Sequence, residues 1–269
     1  NIAPVAYQET YDNAGLIVGN AYTDLTGVLV CLDSIENVVD EAIAKNCNLI
    51  IAHHPIIFKG LKRLNGKNYV ERTVIKAIKH DIAIYAIHTN LDNVYENGVN
   101  TKIAEKLGLK NTHILSPRQG LRKLSVLVGA TQAEQVKKAM FEAGAAIAHN
   151  IVAIENNHHT VGAGLIGSLE QAVEEQDFLY FLKNTMKTGC VRHTHFLEKK
   201  IQKVAICGGS GGFLLSQAIA QGADIFITAD YKYHEFFDAD GQILIADIGH
   251  YESEQFTIEL IAEIISKKF

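Results

Sequence analysis

The chain has 269 residues, of which 48% are hydrophobic and 20% are charged. This length and composition are typical of a folded globular protein with one large domain or two of ordinary size. The formal net charge is −5 and the Lys and Arg residues are dispersed, which argues against nucleic acid as the main partner. Since no apolar run approaches the length needed to span a bilayer, we expect no membrane partner.

The cysteines and the first residues predict the cellular compartment. Cys31, Cys47, Cys190 and Cys207 are scattered, form no C-x-x-C pair, and mostly lie inside apolar runs. The opening sequence, NIAPVAYQETYDN, resembles neither a signal peptide nor an Arg-rich transit peptide. We therefore expect a cytoplasmic protein without disulfides.

The first half of the chain alternates short β-branched runs with amphipathic helical patterns. The predicted strands are GVLVCLD, NLIIAHHP and IAIYAIHTNLDN, and the predicted helices that follow them are ENVVDEAIAKN, VERTVIKAIKHD and VNTKIAEKLG. Continuous apolar strands separated by helices of this length predict an α/β fold with a mostly parallel sheet and helices on both faces.

One basic cluster, KGLKRLNGK, runs from Lys59 to Lys67 and follows directly on His54 and Pro55. The segment has two interpretations. It is either a solvated loop or a lip that attracts anions to a nearby site.

The same alternation returns near the end of the chain, after a middle part of different character. KVAICGG, DIFITAD and QILIADIG are predicted strands, and FLLSQAIAQGA and SEQFTIELIAEIISKK are predicted helices. The middle part contains KLSVLVG, QAEQVKKAMFEAGAA and a looser stretch rich in His, Asn and Gly. We therefore predict a discontinuous α/β core of residues 1–122 and 201–269, interrupted by a small α+β domain of residues 123–200.

Polar side chains able to bind metal follow four of the predicted strands. In open parallel sheets, ligands bind beyond the carboxyl ends of the strands, so these side chains are expected at one edge. They are His53 and His54, then His88 and Asp92, then Asp230 and His234, and finally His250, Glu252 and Glu254.

Five of these residues form a predicted set of metal ligands. His53 and His54 point in opposite directions if the strand stays regular, so they meet either by serving different ions or where the strand ends at Pro55. His250 and Glu254 are four apart, which places both on one face of a helix that starts at residue 251 or 252. With Asp92, the set suits two divalent ions with open positions.

The remaining polar residues and the metal identity are less constrained. His88, Glu252, Asp230 and His234 are candidates for proton transfer or for orienting the metal ligands. Mixed His and carboxylate ligands suit zinc, iron(II) or manganese.

Each predicted ligand also has a purely structural interpretation. A lone buried His is often a core or capping residue, Asp92 could cap a turn before VYENG, and Glu254 could be a first-turn carboxylate stabilised by the helix dipole. A metal site explains all five at one sheet edge together. The CGGSGG segment, Cys207 to Gly212, is either an anion cradle at a helix start or a tight turn without ligand.

Several motifs resemble the NIF-three-like family (NGG-one-interacting factor three), whose bacterial members are often labelled GTP cyclohydrolase I type 2 homologues. They are YDNAGLIVG, IIAHHPIIFKG, YAIHTNLDN, CGGSGG and the pair ITADYKYHEFFDA and IADIGHYESE. The resemblance implies a toroidal homohexamer with two metal ions per subunit, and it places the family's ligands on His53, His54, Asp92, His250 and Glu254. Longer family members carry a PII-like middle domain, so the insert here is expected to be a shortened version.

Two functions remain open on this basis. The first is a metal-dependent hydrolase acting on a nucleotide or related small molecule, with Tyr231, Tyr233, Phe236 or Tyr251 as stacking partners for a purine. The second is a metal-binding scaffold or regulatory interaction protein without turnover. A structural metal site is less consistent with the sequence, since structural zinc usually takes four closed ligands, often Cys. The hydrolase is favoured.

Overall fold

The computed structural model describes residues 2–119, 129–142 and 157–267. The strands are β1 (Gly15–Val18), β2 (Val28–Asp33), β3 (Leu49–His54), β4 (Ala83–Ala86), β5 (Lys110–Gln119), β6 (Asn157–Glu174), β7 (Arg192–His193), β8 (Lys200–Ser210), β9 (Ile225–Ala229) and β10 (Leu244–Asp247). The α-helices are α1 (Glu36–Ala44), α2 (Tyr69–Lys79), α3 (Thr89–Asp92), α4 (Val99–Lys106), α5 (Ala133–Glu142), α6 (Glu175–Thr185), α7 (Leu215–Ala220), α8 (His250–Glu254) and α9 (Thr257–Ser266). None of the helices in these ranges is both long enough and apolar enough to cross a bilayer.

Two mixed sheets replace the mostly parallel sheet predicted from the sequence, so that part of the prediction is wrong. The first sheet has the order β1-β4-β3-β2, and the second has the order β5-β6-β8-β9-β10-β7. The parallel parts, β2-β3-β4 and β8-β9-β10, are the strands that the apolar runs predict, whereas β1, β6 and β7 pair antiparallel to them. Apolar patterning reports burial, and it does not fix strand direction or divide strands between sheets.

The first sheet packs one face against α1 and α2. Val39 and Ala42 of α1 and Val74 of α2 are buried against Ile50 and Ile84 of the sheet. The two helices follow β2 and β3 directly, which is the arrangement that parallel neighbours require. The packing of this sheet against α1 and α2 therefore fixes the end of β3, where His53 and His54 lie.

The central strands of the second sheet are buried on both faces. Successive residues alternate between two apolar clusters, as the strand period of two requires. In β9, Ile225 and Ile227 face a cluster that includes residues of α4, α6 and α9, while Phe226 faces a cluster that includes residues of α7. Because every residue of β9 and β10 is buried, the ends of these strands are held rigidly where they deliver Asp230 and His250.

The chain divides into two compact units, residues 1–116 with 159–269 and residues 117–158. In the smaller unit the described residues include α5 and a short 3-10 helix, Ala130–Gln132. The predicted inserted domain of residues 123–200 is longer, since β7, α6 and nearly all of β6 belong to the larger unit. Residues 123–128 and 143–156 of the expected PII-like insert lie outside the described residues.

Excision of the smaller unit tests this division. Joining Ser116 to His159 through a short Gly-Ser linker should leave a cooperatively folding protein, because the larger unit keeps its clusters. Removing residues 123–200 should abolish cooperative unfolding, because it deletes Phe178 and Leu182, which are 1% and 0% exposed. Each such side chain contributes about 1.5–3 kcal/mol when buried. Thermal unfolding followed by circular dichroism distinguishes the two deletions, and equal cooperativity in both would contradict the division.

Candidate metal centre

His53 and His54 form the last two positions of β3 and direct their Nε2 atoms to the same carboxylate. His53 is fully buried, and its Nδ1–H donates to the Ile87 carbonyl oxygen at 2.9 Å. His54 donates through Nδ1 to Asp33 Oδ1 at 2.9 Å. The His54 Nε2 lies 2.9 Å from Glu254 Oε2, and the His53 Nε2 lies 3.7 Å from Glu254 Oε1. The two neighbouring rings therefore approach different oxygens of Glu254.

Helix α8 supplies His250 and Glu254 one turn apart. It begins at His250, slightly earlier than predicted, directly after Gly249 with its left-handed φ of 93°. The His250 Nε2 lies 3.2 Å from Glu254 Oε2 and 3.4 Å from His54 Nε2. Its Nδ1–H donates to Asp230 Oδ2 at 2.6 Å. The i, i+4 spacing thus places both side chains at one point, as the sequence predicts.

Asp92 reaches the centre from the end of α3. Its Oδ1 lies 3.6 Å from His53 Nε2. Buried Asn100 fixes the local backbone, since its Nδ2 donates to the Asp92 carbonyl at 3.1 Å and its Oδ1 accepts from the Gly208 N–H at 2.9 Å. Asn100 therefore ties the Asp92 turn to the end of β8.

These contacts sort into two groups of three that share Glu254. His53, Asp92 and Glu254 form one group, and His54, His250 and Glu254 form the other. Within each group the ligand-capable atoms lie within 4.8 Å of one another. Oε1 of Glu254 faces the first group, and Oε2 faces the second, so this carboxylate belongs to both groups.

The histidines are oriented as metal-binding histidines usually are. In His53, His54 and His250 the Nδ1 hydrogen is given to a carbonyl or carboxylate oxygen. This contact fixes the tautomer and the ring plane, and it leaves the Nε2 lone pair aimed at the centre.

Two buried atoms in the centre test whether a metal ion fits. His53 Nε2 and Asp92 Oδ1 are buried without a hydrogen-bond partner. Their separation of 3.6 Å is too long for a hydrogen bond, and an unpaired buried polar atom is costly. Metal bonds to imidazole and carboxylate of about 2.0–2.2 Å allow one divalent ion to contact both atoms. The donor set fits the predicted metal.

Protonation balances the charge of the metal-free centre. Glu254 raises the pKa of His250 to about 9, and contacts with Asp33 and Glu254 outweigh burial to raise the pKa of His54 to about 10. Burial raises the pKa of Asp92 to about 6. Burial would also raise the pKa of Glu254, but the surrounding imidazoles outweigh it and hold that pKa well below its usual range. The centre thus gathers positive charge around an ionised Glu254.

The glycines of the CGGSGG segment let the backbone lie close to the centre. The N–H groups of Gly208, Gly209 and Gly211 donate to side-chain oxygens of Asn100, Ser253 and Thr228, respectively. These three donors are therefore not directed at an anion, which supports the tight-turn interpretation. A Cβ at Gly209 would lie 2.4 Å from Glu254 Oε1. Glycine at this position lets the backbone approach the Glu254 carboxylate.

A cavity of about 410 Å³ opens onto the centre. Of the predicted catalytic residues, His88 lines it beside His54, His250 and Glu254. Asp230 orients His250 from the far side of the ring. Glu252 lines a separate cleft with Asp230, and exposed His234 packs its ring against Tyr233. A catalytic role for these four residues stays a prediction.

Sequence reasoning missed several residues around this cavity. Asp12 accepts from His88 Nδ1 at 2.7 Å, and Tyr11, Phe58 and Phe213 line the cavity as half-exposed or exposed aromatic side chains. The position of Tyr11 and Asp12 within the YDNAGLIVG motif was the available signal.

The stacking candidates named from the sequence lie elsewhere. Tyr231 is buried in an apolar cluster, and Tyr233 and Phe236 line another cleft. Tyr251 is exposed and lies outside the residues that line the cavity.

The fold and this site define a mixed α/β protein with a histidine–carboxylate cluster able to hold metal. The family model of Duf34/NIF3 (NGG1p interacting factor 3) matches residues 1–269, so the chain belongs to that family and the resemblance is confirmed. The chain is 31% identical to a GTP cyclohydrolase 1 type 2 homolog of Bacillus subtilis, over 99% of this chain and 91% of the relative.

Solved structures agree with this assignment. A hypothetical protein of Staphylococcus aureus superposes with a TM-score of 0.84 at 34% identity, covering 98% of this chain and 87% of the other. A Bacillus cereus protein related to NIF3 gives 0.80 at 29% identity, covering 100% and 91%.

Replacing Gly209 with alanine tests the close approach to Glu254. Gly222 is the matched control, because both glycines are left-handed, at φ 65° and 69°, but a Cβ at Gly222 meets no atom within 4 Å. Both substitutions should cost about 1–2 kcal/mol of stability from the backbone alone. Only Gly209→Ala should also weaken zinc binding, by roughly 10-fold or more, measured by competition with a chromophoric chelator. Equal zinc affinity in the two variants would remove the steric role of Gly209.

Metal affinity should rise with pH, since an ion displaces protons from His54 and His250. Their pKa values in the metal-free protein, about 10 and about 9, lie above the ordinary value of 6.5. The stability that these imidazoliums give the metal-free protein is therefore fully present below pH 6.5 and is lost as pH rises through 9 and 10. Calorimetric zinc titration at pH 7 in two buffers of different ionisation enthalpy should detect proton release. An affinity that stays constant between pH 6 and 9 would contradict the protonation pattern.

Proposed function

We propose that this protein binds two divalent metal ions and uses them as a hydrolase of a nucleotide or related small molecule. The observation that carries the proposal is the position of Glu254, whose two oxygens face two separate ligand groups. A single structural ion would not need this division. Zinc, iron(II) and manganese all suit the donor set.

The two ions would be held by distinct parts of the chain. His53 and Asp92 would hold one, His54 and His250 would hold the other, and Glu254 would contact both. When bound, such a pair activates a water molecule as a nucleophile and stabilises negative charge on an oxyanion or phosphate.

His88 is the side chain best placed to move a proton. The His88 Nδ1–H donates to Asp12 Oδ1. The Asp12 Oδ2 accepts from the Thr89 N–H at 3.0 Å and from the Thr89 hydroxyl. Burial opposes ionisation of Asp12, but these hydrogen bonds prevail and lower its pKa to about 2. Ionised Asp12 keeps the His88 Nε2 as the free nitrogen, and a ring nitrogen of His88 lies within 4.8 Å of those of His53 and His54.

The cavity walls support a substrate with a planar ring. Tyr11, Phe58 and Phe213 are 69%, 52% and 67% exposed, and all three line the cavity over the centre. Exposed aromatic faces beside polar groups are typical of sites that bind aromatic ligands. The name that curated relatives carry, GTP cyclohydrolase 1 type 2 homolog, agrees with a purine ring.

A scaffold or regulatory protein that binds metal without turnover is the alternative, and its ligand set would be the same. The open cavity beside the ions favours the hydrolase, because a scaffold needs no access for a small molecule. We further propose a homohexameric ring in the cytoplasm. The four cysteines are free of disulfides, which agrees with a reducing compartment.

Metal content tests the ligand assignment. Protein purified without a His-tag should carry close to two divalent ions per chain by plasma mass spectrometry. The double variant His250→Ala/Glu254→Ala should lose most of that metal, because it removes the bridge and one imidazole. The control is His80→Ala/Glu259→Ala, which removes the same two residue types from exposed positions of the larger unit. Unchanged metal in the first variant would overturn the assignment.

Turnover then separates the hydrolase from the scaffold. The metal-loaded protein should hydrolyse members of a panel of nucleotides and aryl phosphoesters. In His88→Asn the kcat should fall by roughly 10²–10⁴-fold while bound metal stays near two ions. A loaded protein inactive on the whole panel would favour the scaffold. Mass photometry tests the hexamer in the same preparation.

A further inference from the structure

Asp247, the last residue of β10, makes contacts that the proposed chemistry does not explain. It is 3% exposed. Its Oδ1 accepts from the Gly249 N–H at 3.0 Å, and its Oδ2 accepts from the Tyr231 N–H at 2.9 Å. One buried carboxylate therefore joins the turn after β9 to the turn after β10.

These two turns position His250 and Asp230, which form one imidazole–carboxylate pair. Tyr231 directly follows Asp230, and Gly249 directly precedes His250. Both turns use left-handed backbone, at φ 59° for Asp230 and φ 93° for Gly249. The Asp230 carboxylate and the His250 ring that they present meet at 2.6 Å. The position of that pair thus depends on the peptide groups that Asp247 holds.

Arg192 completes the arrangement from the neighbouring edge strand. β7 pairs with β10 so that Arg192 stands opposite Asp247. One Arg192 nitrogen, Nη2, donates both to Asp247 Oδ2 and to the Tyr231 carbonyl oxygen, the latter at 2.8 Å. The guanidinium balances the charge of the buried carboxylate, and its side chain stays 53% exposed.

His250 needs this support more than the other ligands do. Its side chain is 39% exposed, whereas that of His53 is fully buried and fixed by packing. A ring held loosely by neighbours takes its direction from its backbone turn and from the partner of its Nδ1. Both of these are set by Asp247 and Arg192.

We propose that Asp247 and Arg192 are positioning residues for the ion held by His54, His250 and Glu254. Neither residue contacts that ion, and both act through Asp230 and His250. The inference rests on the proposed metal binding. The ion beside His53 and Asp92 should depend on them less, because β3 and α3 supply those two ligands.

Asp247→Asn tests the proposal with zinc as the probe. The amide NH₂ cannot accept the second backbone hydrogen bond, and it loses the charge that pairs with Arg192. We expect one of two zinc affinities to fall roughly 10- to 100-fold, as for other residues that orient ligands. In the cobalt-substituted protein the visible absorption bands should shift, because they report the ligand geometry of the ion.

Asp224→Asn is the matched control. Asp224 lies just before β9, at the opposite end from the centre, and its Oδ2 accepts from the N–H groups of Gln202 at 2.9 Å and Lys203 at 2.7 Å. Because one amide oxygen can accept both of these hydrogen bonds, this variant controls for the loss of a carboxylate charge, and it should keep wild-type zinc affinity and cobalt bands. Equal zinc affinities in Asp247→Asn and Asp224→Asn would overturn the proposal.

Arg192 gives a second route if Asp247→Asn does not fold. Arg192→Ala should also weaken one zinc site, and Arg192→Lys should restore part of the affinity by returning the charge. Wild-type affinity in Arg192→Ala would overturn the proposal. The wild-type titration separates failure of the proposed function from failure of this inference. If the unmodified protein does not bind two zinc ions, the proposed function is wrong. If the wild type binds two zinc ions and every variant keeps both sites, only this inference is wrong.

Discussion

The structure depends on one buried carboxylate that is surrounded by imidazoles. Glu254 is 3% exposed, and an ionised group in such a place is costly unless opposite charge compensates it. Compensation comes from His53 and His54 at the end of β3 and from His250 in α8. The elements of the larger unit must therefore meet at a single point, and that requirement explains much of the surrounding detail.

The backbone near Glu254 is shaped to allow this meeting. Left-handed conformations occur at Gly209, Asp230 and Gly249, each adjacent in space or in sequence to a proposed ligand. Such conformations persist where the rest of the fold over-determines them, and they are common at functional sites. Here the restraint comes from buried side chains such as Asn100, Ser253 and Asp247, which bond to the peptide groups of the turns. These buried polar side chains therefore hold the backbone turns around the centre in place.

The parts of this arrangement that follow from local pattern could be predicted from the sequence. The parallel strands β2 to β4 and β8 to β10 were predictable because their residues are apolar without interruption. The five proposed ligands were grouped from the sequence because a single parallel sheet would bring them to a common edge; in the structure β3 and β10 belong to different sheets, and the ends of both lie at the centre. The spacing of four residues between His250 and Glu254 predicted that both side chains lie on one face of a helix. The structure places all five side chains together.

Long-range contacts set the limit of such prediction. The assignment of strands to two sheets depends on antiparallel partners such as β1 and β6, whose pairing has no local signature. Asp12 and Asp33 meet His88 and His54 only after folding, across 76 and 21 residues of chain. Tyr11, Phe58 and Phe213 lie far apart in sequence, and only the folded chain brings them to one cavity. The boundary of the middle domain was placed by composition, which does not report that β6 and α6 belong to the larger core.

The separation of His54 and Glu254, 200 residues apart in sequence, has a consequence for how the protein matures. During synthesis the first sheet leaves the ribosome with two adjacent imidazoles long before the last helices exist. Contacts of such long sequence separation form late, since the loop between them must be ordered first. A nascent or truncated chain therefore exposes His53 and His54 without the carboxylate that unites them. A chain that ends before α8 therefore lacks His250 and Glu254, and it cannot form either of the two groups that share Glu254.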